Sequence, residues 1–250
     1  IVFAAGRNAG QSLEDEIFDE FKKLTGGLEP TLRLENILAG MNIDPSEVSD
    51  VEERPGRPPK RALSTKLQDI GEQISDITIV LDDGSREMIS LKASSGDTFM
   101  NAGYGGAITV KQDEVFLKPH KLDDFLDALG IDKQKIGERL LDYQAGNKAS
   151  SSWESVNADL AKVQAYLASG FGFGYRYVRA KGVHTFEVKD FNNPNNVLDF
   201  IGKVQNVELK YPGSSKQMSA NIDTTNGRYR VEIRNSHGGI DPNEIKIKTR

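Results

Sequence analysis

Apolar residues near the start of the chain recur three or four positions apart: Leu13, Ile17, Phe18 and Phe21. This spacing predicts an amphipathic helix over 12–23, with Ser12 as its N-cap and Gly26-Gly27 at its end. Shorter helical patterns follow over 32–39, 45–51 and 64–71. The first part of the chain is therefore expected to be largely helical.

The pattern changes to period two at residue 76. Residues 76–92 read Asp-Ile-Thr-Ile-Val-Leu-Asp-Asp-Gly-Ser-Arg-Glu-Met-Ile-Ser-Leu-Lys. Two short apolar runs flank an Asp-Asp-Gly-Ser turn, which predicts a β-hairpin. An acid, Asp76, opens the first strand, and a lysine, Lys92, closes the second. In a strand, Ser90 shares a face with Lys92, whereas Glu87 points to the other face.

The rest of the chain alternates between loop, helix and strand patterns. Small residues over 93–106 predict a loop. Helices are predicted over 121–129, 133–143, 152–169 and 195–203, and strands over 171–179, 185–188, 207–211, 217–222, 228–234 and 244–248. This order predicts an α/β (α+β) fold, with a mixed central β-sheet flanked by helices. We expect one domain over 1–250, with a core at about 10–118 and 170–250 and a helical insertion at about 119–169.

Composition restricts the chemistry. The chain has 250 residues, no cysteine and three histidines, which excludes thiolate sites and disfavours a histidine-rich zinc site. Any metal is therefore expected to be a hard ion held by carboxylates. No apolar run approaches the roughly 18 residues that span a bilayer, and the first residues lack the basic leader of a signal peptide. We expect an intracellular, cytoplasmic protein without a membrane partner.

The net charge of −5 does not favour nucleic-acid binding, but the charge is unevenly distributed. Residues 42–53 carry acids without bases, and residues 54–68 carry bases without acids. The second stretch is either a solvated linker or a basic patch. Arg228, Arg230 and Arg234 share strand parity, which fits a phosphate-binding track or a charge-protected edge strand. The candidate nucleic-acid-binding residues are Arg57, Lys60, Arg61, Arg176, Arg228, Arg230 and Arg234.

The hairpin resembles the catalytic hairpin of the PD-(D/E)XK nucleases, the superfamily of many restriction enzymes and resolvases. That pattern has a carboxylate two positions before the lysine, where this chain has Ser90. The segment Gly10-Gln-Ser-Leu-Glu14-Asp-Glu-Ile is similar to the N-terminal helix that carries a metal-binding Glu in many of these nucleases. The Ile-Ser-Leu-Lys ending is also similar to nuclease-like proteins of large tailed phages.

The resemblance implies a site and a reaction. Asp76 and Glu14 would bind Mg²⁺, or Mn²⁺ in its place, with the backbone carbonyl of Leu91 as a further ligand. Lys92 would orient or deprotonate the attacking water and counter charge on the phosphate, and Ser90 would hydrogen-bond a metal-bound water. The implied partner is DNA, and enzymes of this type often act as homodimers.

Three readings remain open. The first is a Mg²⁺-dependent DNA endonuclease. The second is a non-catalytic structural or DNA-binding protein, such as a phage virion or assembly component, that retains an eroded nuclease fold. The third is a carboxylate-metal enzyme acting on another phosphoester. In the non-catalytic reading, Asp76 caps a strand, Lys92 faces solvent and Glu14 is one of several acids on an exposed helix face.

Overall fold

A computed structural model describes residues 9–53, 75–93 and 97–250, and it shows a mixed α+β fold. The helices are α1 (Ala9–Thr25), α2 (Leu32–Met41), α3 (Asp123–Ala128), α4 (Lys133–Gln144), α5 (Leu160–Phe171) and α6 (Pro194–Ile201). The strands are β1 (Val48–Glu53), β2 (Ile77–Leu81), β3 (Arg86–Lys92), β4 (Thr98–Gly103), β5 (Ile108–Lys111), β6 (Glu114–Leu117), β7 (Glu154–Ser155), β8 (Tyr175–Ala180), β9 (Phe186–Phe191), β10 (Val204–Lys210), β11 (Met218–Thr224), β12 (Arg228–Arg234) and β13 (Glu244–Thr249). Within these ranges no helix combines the length and the apolar character needed to cross a membrane.

The chain divides into two compact units. Of the described residues, 9–53, 75–93, 97 and 172–196 form the first unit, and 98–171 and 197–250 form the second. This division differs from the core and insertion expected from sequence. The helices of the expected insertion belong to a unit that also contains strands from both sides of it, because α5 contacts β4 and β10.

The first unit contains a five-stranded sheet in the order β1-β2-β3-β8-β9. The predicted hairpin is present as antiparallel β2 and β3, whereas β3 and β8 run parallel. Helices α1 and α2 contribute to a core that covers one face of this sheet, and its buried members from β2, β3 and β8 are Ile77, Ile79, Ile89, Leu91 and Val178. Because side chains alternate along a strand, Ser90 and Lys92 lie on the opposite face.

The second unit is built on a six-stranded antiparallel sheet in the order β4-β13-β12-β11-β10-β7, with a separate β5-β6 hairpin. Ring contacts join its strands to α5. Phe171 lies with its ring centroid 3.9 Å from that of Phe99 and meets Tyr229 edge to face at 5.4 Å. Helix α4 packs closely on β6, because Gly137 leaves room for Val115. The alternating apolar residues of β12 explain why its predicted bounds match the observed ones.

Several local predictions were wrong at their boundaries. Helix α1 begins at Ala9, so Ser12 lies inside it and is not the N-cap. The segment predicted as helix 45–51 is a 3-10 turn followed by β1. A register irregularity between Val48 and Asp50 allows Val48 and Val51 both to be buried, which hides the period-two pattern.

The remaining differences lie in the second unit. The predicted loop over 93–106 contains β4, whose Met100 and Ala102 pair with Ile247 and Ile245 of β13. The predicted helix 152–169 begins only at Leu160 and follows a short strand, β7. The β5-β6 hairpin was not predicted. The helix expected over 64–71 lies outside the described residues.

Candidate functional site

The two ends of the hairpin bring Asp76, Ser90 and Lys92 together. The Asp76 carboxylate oxygen Oδ2 accepts hydrogen bonds from the backbone N–H of Leu91 at 2.7 Å and from Ser90 Oγ at 3.2 Å. Lys92 Nζ donates to Ser90 Oγ at 2.8 Å and lies 3.9 Å from Asp76 Oδ2. The hairpin therefore carries a connected acid, hydroxyl and ammonium group.

Strand register explains this arrangement. Ile77 is paired with Ile89, and the backbone N–H of Asp76 donates to the carbonyl of Ile89 at 2.8 Å. Asp76 is thus held beside the last residues of β3. Asp76 is 9% exposed and Ser90 is 4% exposed. Burial at this depth makes the ion pair and its hydrogen bonds mutually dependent, since a lone buried charge is costly.

A second group of an acid, a hydroxyl and a cation lies beside the first, and its hydroxyl and cation belong to the parallel strand β8. Ser90 is paired with Tyr177, and Lys92 with Arg179. Tyr177 Oη donates to Asp97 Oδ2 at 2.5 Å, and Arg179 Nε lies 3.2 Å from the same oxygen. Burial, followed by the hydrogen bond to Asp97, raises the pKa of the Tyr177 phenol. The hydroxyl therefore remains a proton donor to Asp97 at neutral pH.

Sequence reasoning did not identify Asp97, Tyr177 or Arg179 as members of one site. A signal was nevertheless present, because Ser90-Leu-Lys92 and Tyr177-Val-Arg179 both read hydroxyl, apolar residue, cation. The two triplets become neighbours only if β3 and β8 are parallel and in this register, which the sequence does not specify. Asp97 lies in a stretch that was predicted to be a loop and carries no pattern of its own.

Glu14 lies in α1 and is partly buried. In the part of the chain that the structure describes, no group of three or more Asp, Glu or His side chains is arranged to hold a metal ion. The metal ligands named above, Asp76, Glu14 and the Leu91 carbonyl, therefore remain a prediction. Asp76, Ser90 and Lys92 contact one another, but these contacts do not include Glu14.

The basic candidates are dispersed. Arg57, Lys60 and Arg61 lie outside the described residues. Arg176 is on β8, where it forms ion pairs with Glu87 at 2.9 Å and with Asp190 at 2.9 Å. Two carboxylates thus balance its charge, which reduces its ability to attract a phosphate.

The three arginines of β12 do share one face, alternating with buried apolar residues. Arg228 is ion-paired with Asp223, and Arg234 with Glu244 at 2.7 Å. Arg230 instead donates to the amide oxygen of Asn221 at 3.1 Å, and its guanidinium lies 5.4 Å from the Trp153 ring centroid. Burial and then the charge of Arg250 lower the pKa of Arg230, the charge of Glu232 opposes this shift, and Arg228 adds a smaller lowering effect.

This crowding of positive charge distinguishes Arg230 from its two neighbours on the strand. Arg228 and Arg234 each have a carboxylate partner, whereas Arg230 contacts a neutral amide and an aromatic ring. An anion placed there would relieve repulsion between like charges. Among the described arginine candidates, Arg230 is therefore the one whose contacts leave it most able to attract an anion.

No protein-family model, curated protein or solved structure matches this chain. Its function is therefore inferred from its own residues and their geometry.

Proposed function

We propose that this chain is a Mg²⁺-dependent DNA endonuclease with a restriction-endonuclease-like core. The observation that carries the proposal is the buried cluster of Asp76, Ser90 and Lys92 at the paired ends of β2 and β3. A solvent-facing lysine and an isolated strand cap would not need to share a hydroxyl. Here Lys92 Nζ and Asp76 both contact Ser90 Oγ, which places the ammonium beside the acid.

The cluster offers an acid that could bind a cation and an ammonium group that could act on water and phosphate. Asp76 would bind the cation together with the Leu91 carbonyl. Glu14 is the weaker candidate ligand, because α1 packs on the face of the sheet opposite to Ser90 and Lys92. Bound there, Mg²⁺ supplies Lewis-acid chemistry, polarising a phosphoryl oxygen and lowering the pKa of water. Lys92 would orient the attacking water and offset the negative charge that develops on the phosphate.

The order of elements supports the same reading. Helix α1, with Glu14, precedes the hairpin in sequence and contacts β1 and β3. The strand that carries Ser90 and Lys92 is an interior strand, between β2 and β8. Interior strands are held on both sides by backbone hydrogen bonds, which fixes the positions of catalytic side chains more tightly than an edge strand does.

DNA would be contacted through phosphate-binding cations. Arg230, beside Arg228, is the best placed of the described candidates because its charge is not balanced by a paired carboxylate. Such contacts position the backbone without reading sequence. Mn²⁺ as an alternative cofactor, a homodimeric state and an intracellular location remain predictions.

A second candidate function is a non-catalytic structural or DNA-binding role. One observation favours it: a serine occupies the position of the second motif carboxylate, and its hydroxyl engages the lysine. A neutral hydroxyl contributes no charge to cation binding. An eroded site would keep this internal network for stability alone.

Cleavage of supercoiled plasmid and of branched DNA in Mg²⁺ or Mn²⁺ separates the two functions. We expect metal-dependent nicking or cutting by the wild type and its loss in Asp76→Ala and Lys92→Ala. The matched controls are Asp50→Ala and Lys22→Ala, which break an exposed ion pair of the same residue types, 3.4 Å apart in the same unit. The controls should cleave like the wild type.

Two results would contradict the nuclease proposal. One is the absence of cleavage by folded wild-type protein on both substrates with either metal. The other is cleavage that persists in folded Asp76→Ala or Lys92→Ala protein, which would indicate another site or a contaminating nuclease. The first result combined with DNA binding would favour the non-catalytic role.

A further inference from the structure

We propose that Asp97 supplies the second carboxylate of the cation site, so that a divalent cation is held between Asp76 and Asp97. This inference rests on the proposed function and deepens it by naming a ligand that the hairpin motif lacks. It predicts a two-carboxylate site spanning β3 and β8 rather than one confined to the hairpin.

The first argument is the register of the two strands. Ser90 and Tyr177 are paired across β3 and β8, and so are Lys92 and Arg179. Each hydroxyl donates to a buried aspartate, at 3.2 Å for Ser90 to Asp76 and at 2.5 Å for Tyr177 to Asp97. Adjacent strands are about 4.8 Å apart. Because paired residues of neighbouring strands point to the same face, the two acids are held on one face of the sheet by side chains of adjacent strands.

The second argument is the incomplete pairing of Asp97. Its side chain is 1% exposed, and its Oδ2 atom contacts both Tyr177 and Arg179. Its other oxygen, Oδ1, is buried and has no hydrogen-bond partner in the structure as described. A buried carboxylate oxygen without a partner costs more than an ordinary unmade hydrogen bond, because the group is charged.

The third argument concerns the chemistry of a group that could satisfy Oδ1. Carboxylate oxygens are the preferred ligands of Mg²⁺ and Mn²⁺. Tyr177 and Arg179 fix Oδ2, which leaves Oδ1 as the ligating atom. Asp97 would then restore the negative charge that Ser90 does not provide, from the connection between β3 and β4 instead of from β3 itself.

Arg179 offers a competing explanation, because its guanidinium could balance Asp97 without any cation. Its Nε atom is within ion-pair distance of Oδ2 but is buried and makes no hydrogen bond there. A purely structural pair would be expected to aim that N–H at the carboxylate. The two explanations differ in whether Asp97 affects metal affinity.

The test is to measure the affinity of the full chain for Mn²⁺ in the absence of DNA, with electron paramagnetic resonance as the signal. We expect Asp97→Asn and Asp76→Asn each to weaken Mn²⁺ binding by at least about tenfold. Asp190→Asn is the matched control, since it removes a carboxylate that is paired with an arginine in the same sheet but is half exposed. Its affinity should equal that of the wild type. Plasmid cleavage is measured on the same samples.

Wild-type affinity in folded Asp97→Asn would overturn the inference, and if the wild type also cleaves DNA the proposed function survives alone. If Asp97→Asn loses Mn²⁺ binding but the wild type does not cleave DNA, the result would support the cation site and contradict the nuclease proposal. A wild type that neither binds Mn²⁺ nor cleaves contradicts both. If Asp97→Asn does not fold, Fe²⁺-ascorbate cleavage of the wild-type backbone decides. Cuts near residues 76 and 97 support the inference, and the absence of a cut near 97 overturns it.

Discussion

Ser90 and Tyr177 are paired residues on parallel strands, and each hydroxyl donates a hydrogen bond to a buried aspartate. The pairing joins the hairpin cluster to a second acid that is distant from β8 in sequence. It also makes Ser90 more than a substitute for a missing carboxylate, because Ser90 Oγ contacts both Lys92 and Asp76. The hydroxyl therefore sets the position of the lysine.

Ser90→Ala should reduce metal-dependent DNA cleavage by about fivefold, since one positioning hydrogen bond is worth about 1 kcal/mol. The change leaves Lys92 and Asp76 in place but removes the atom that both of them contact. Single-turnover cleavage rates at saturating metal provide the measurement. Ser90→Thr keeps the hydroxyl and serves as the control. A Ser90→Ala rate equal to that of the wild type would show that Ser90 does not position Lys92.

Arg230→Gln should weaken DNA binding and lower the slope of log K against log salt by about 1, as expected for the loss of one phosphate contact. Arg230 lies near the charges of Arg250 and Arg228, and its hydrogen bond is to the neutral amide of Asn221, so a phosphate can use its charge. Fluorescence anisotropy over a salt series measures both quantities.

Arg234→Gln is the matched control on the same face of β12. Its guanidinium is already paired with Glu244, so its loss should change the salt slope less. Equal effects of the two substitutions would indicate a general charge effect, and no effect of either would exclude this face from DNA binding.

Local patterns predicted the hairpin well. The Asp-Asp-Gly-Ser turn and its flanking apolar runs specify β2 and β3, and Gly84 has the positive φ of 82° that such a turn needs. The same pattern placed Asp76 and Lys92 at facing ends of the two strands. Sequence reasoning could therefore predict this part of the site because all of its information is local.

The second half of the site depends on a long-range pairing. Tyr177 and Asp97 are 80 positions apart, and residues 98–171, which belong to the second unit, lie between β3 and β8 in the sequence. Nothing in a single sequence fixes which strands become parallel neighbours or in which register. The helix wrongly predicted over 45–51 has a similar cause, because pairing with β2 outweighs local spacing.

Two buried tyrosines should respond in opposite directions to loss of the hydroxyl. Tyr104 Oη is buried without a hydrogen-bond partner in the structure as described, whereas Tyr177 Oη donates to Asp97. Tyr104→Phe should raise the free energy of unfolding by about 1 kcal/mol, and Tyr177→Phe should lower it by about 1 to 3 kcal/mol. Urea unfolding of both variants beside the wild type tests this. Destabilisation by Tyr104→Phe would show that its hydroxyl has a partner in solution.

Gly137→Ala should destabilise the second unit by about 1 to 3 kcal/mol, the usual cost of overpacking. A Cβ at this position of α4 would overlap Val115 Cγ1 of β6 and lie 2.9 Å from Cγ2. Valine has a stiff side chain, so it cannot easily move away. Adding Val115→Ala should recover part of the loss, and a double-mutant cycle in urea measures the coupling. Additive effects would contradict the close contact.

Stability should fall steeply above about pH 10, the ordinary pKa of tyrosine. Burial raises the pKa of Tyr229 to about 12, and the residue is 3% exposed. The protonated Tyr229 phenol contributes fully to the free energy of unfolding below the pKa of tyrosine in the unfolded chain. This contribution is lost as pH rises towards the pKa of Tyr229 in the folded protein. Between about pH 10 and pH 12 this amounts to about 2 to 3 kcal/mol. Urea midpoints across that range should decline less in Tyr229→Phe than in the wild type. Parallel declines would show that Tyr229 ionises normally in the folded protein.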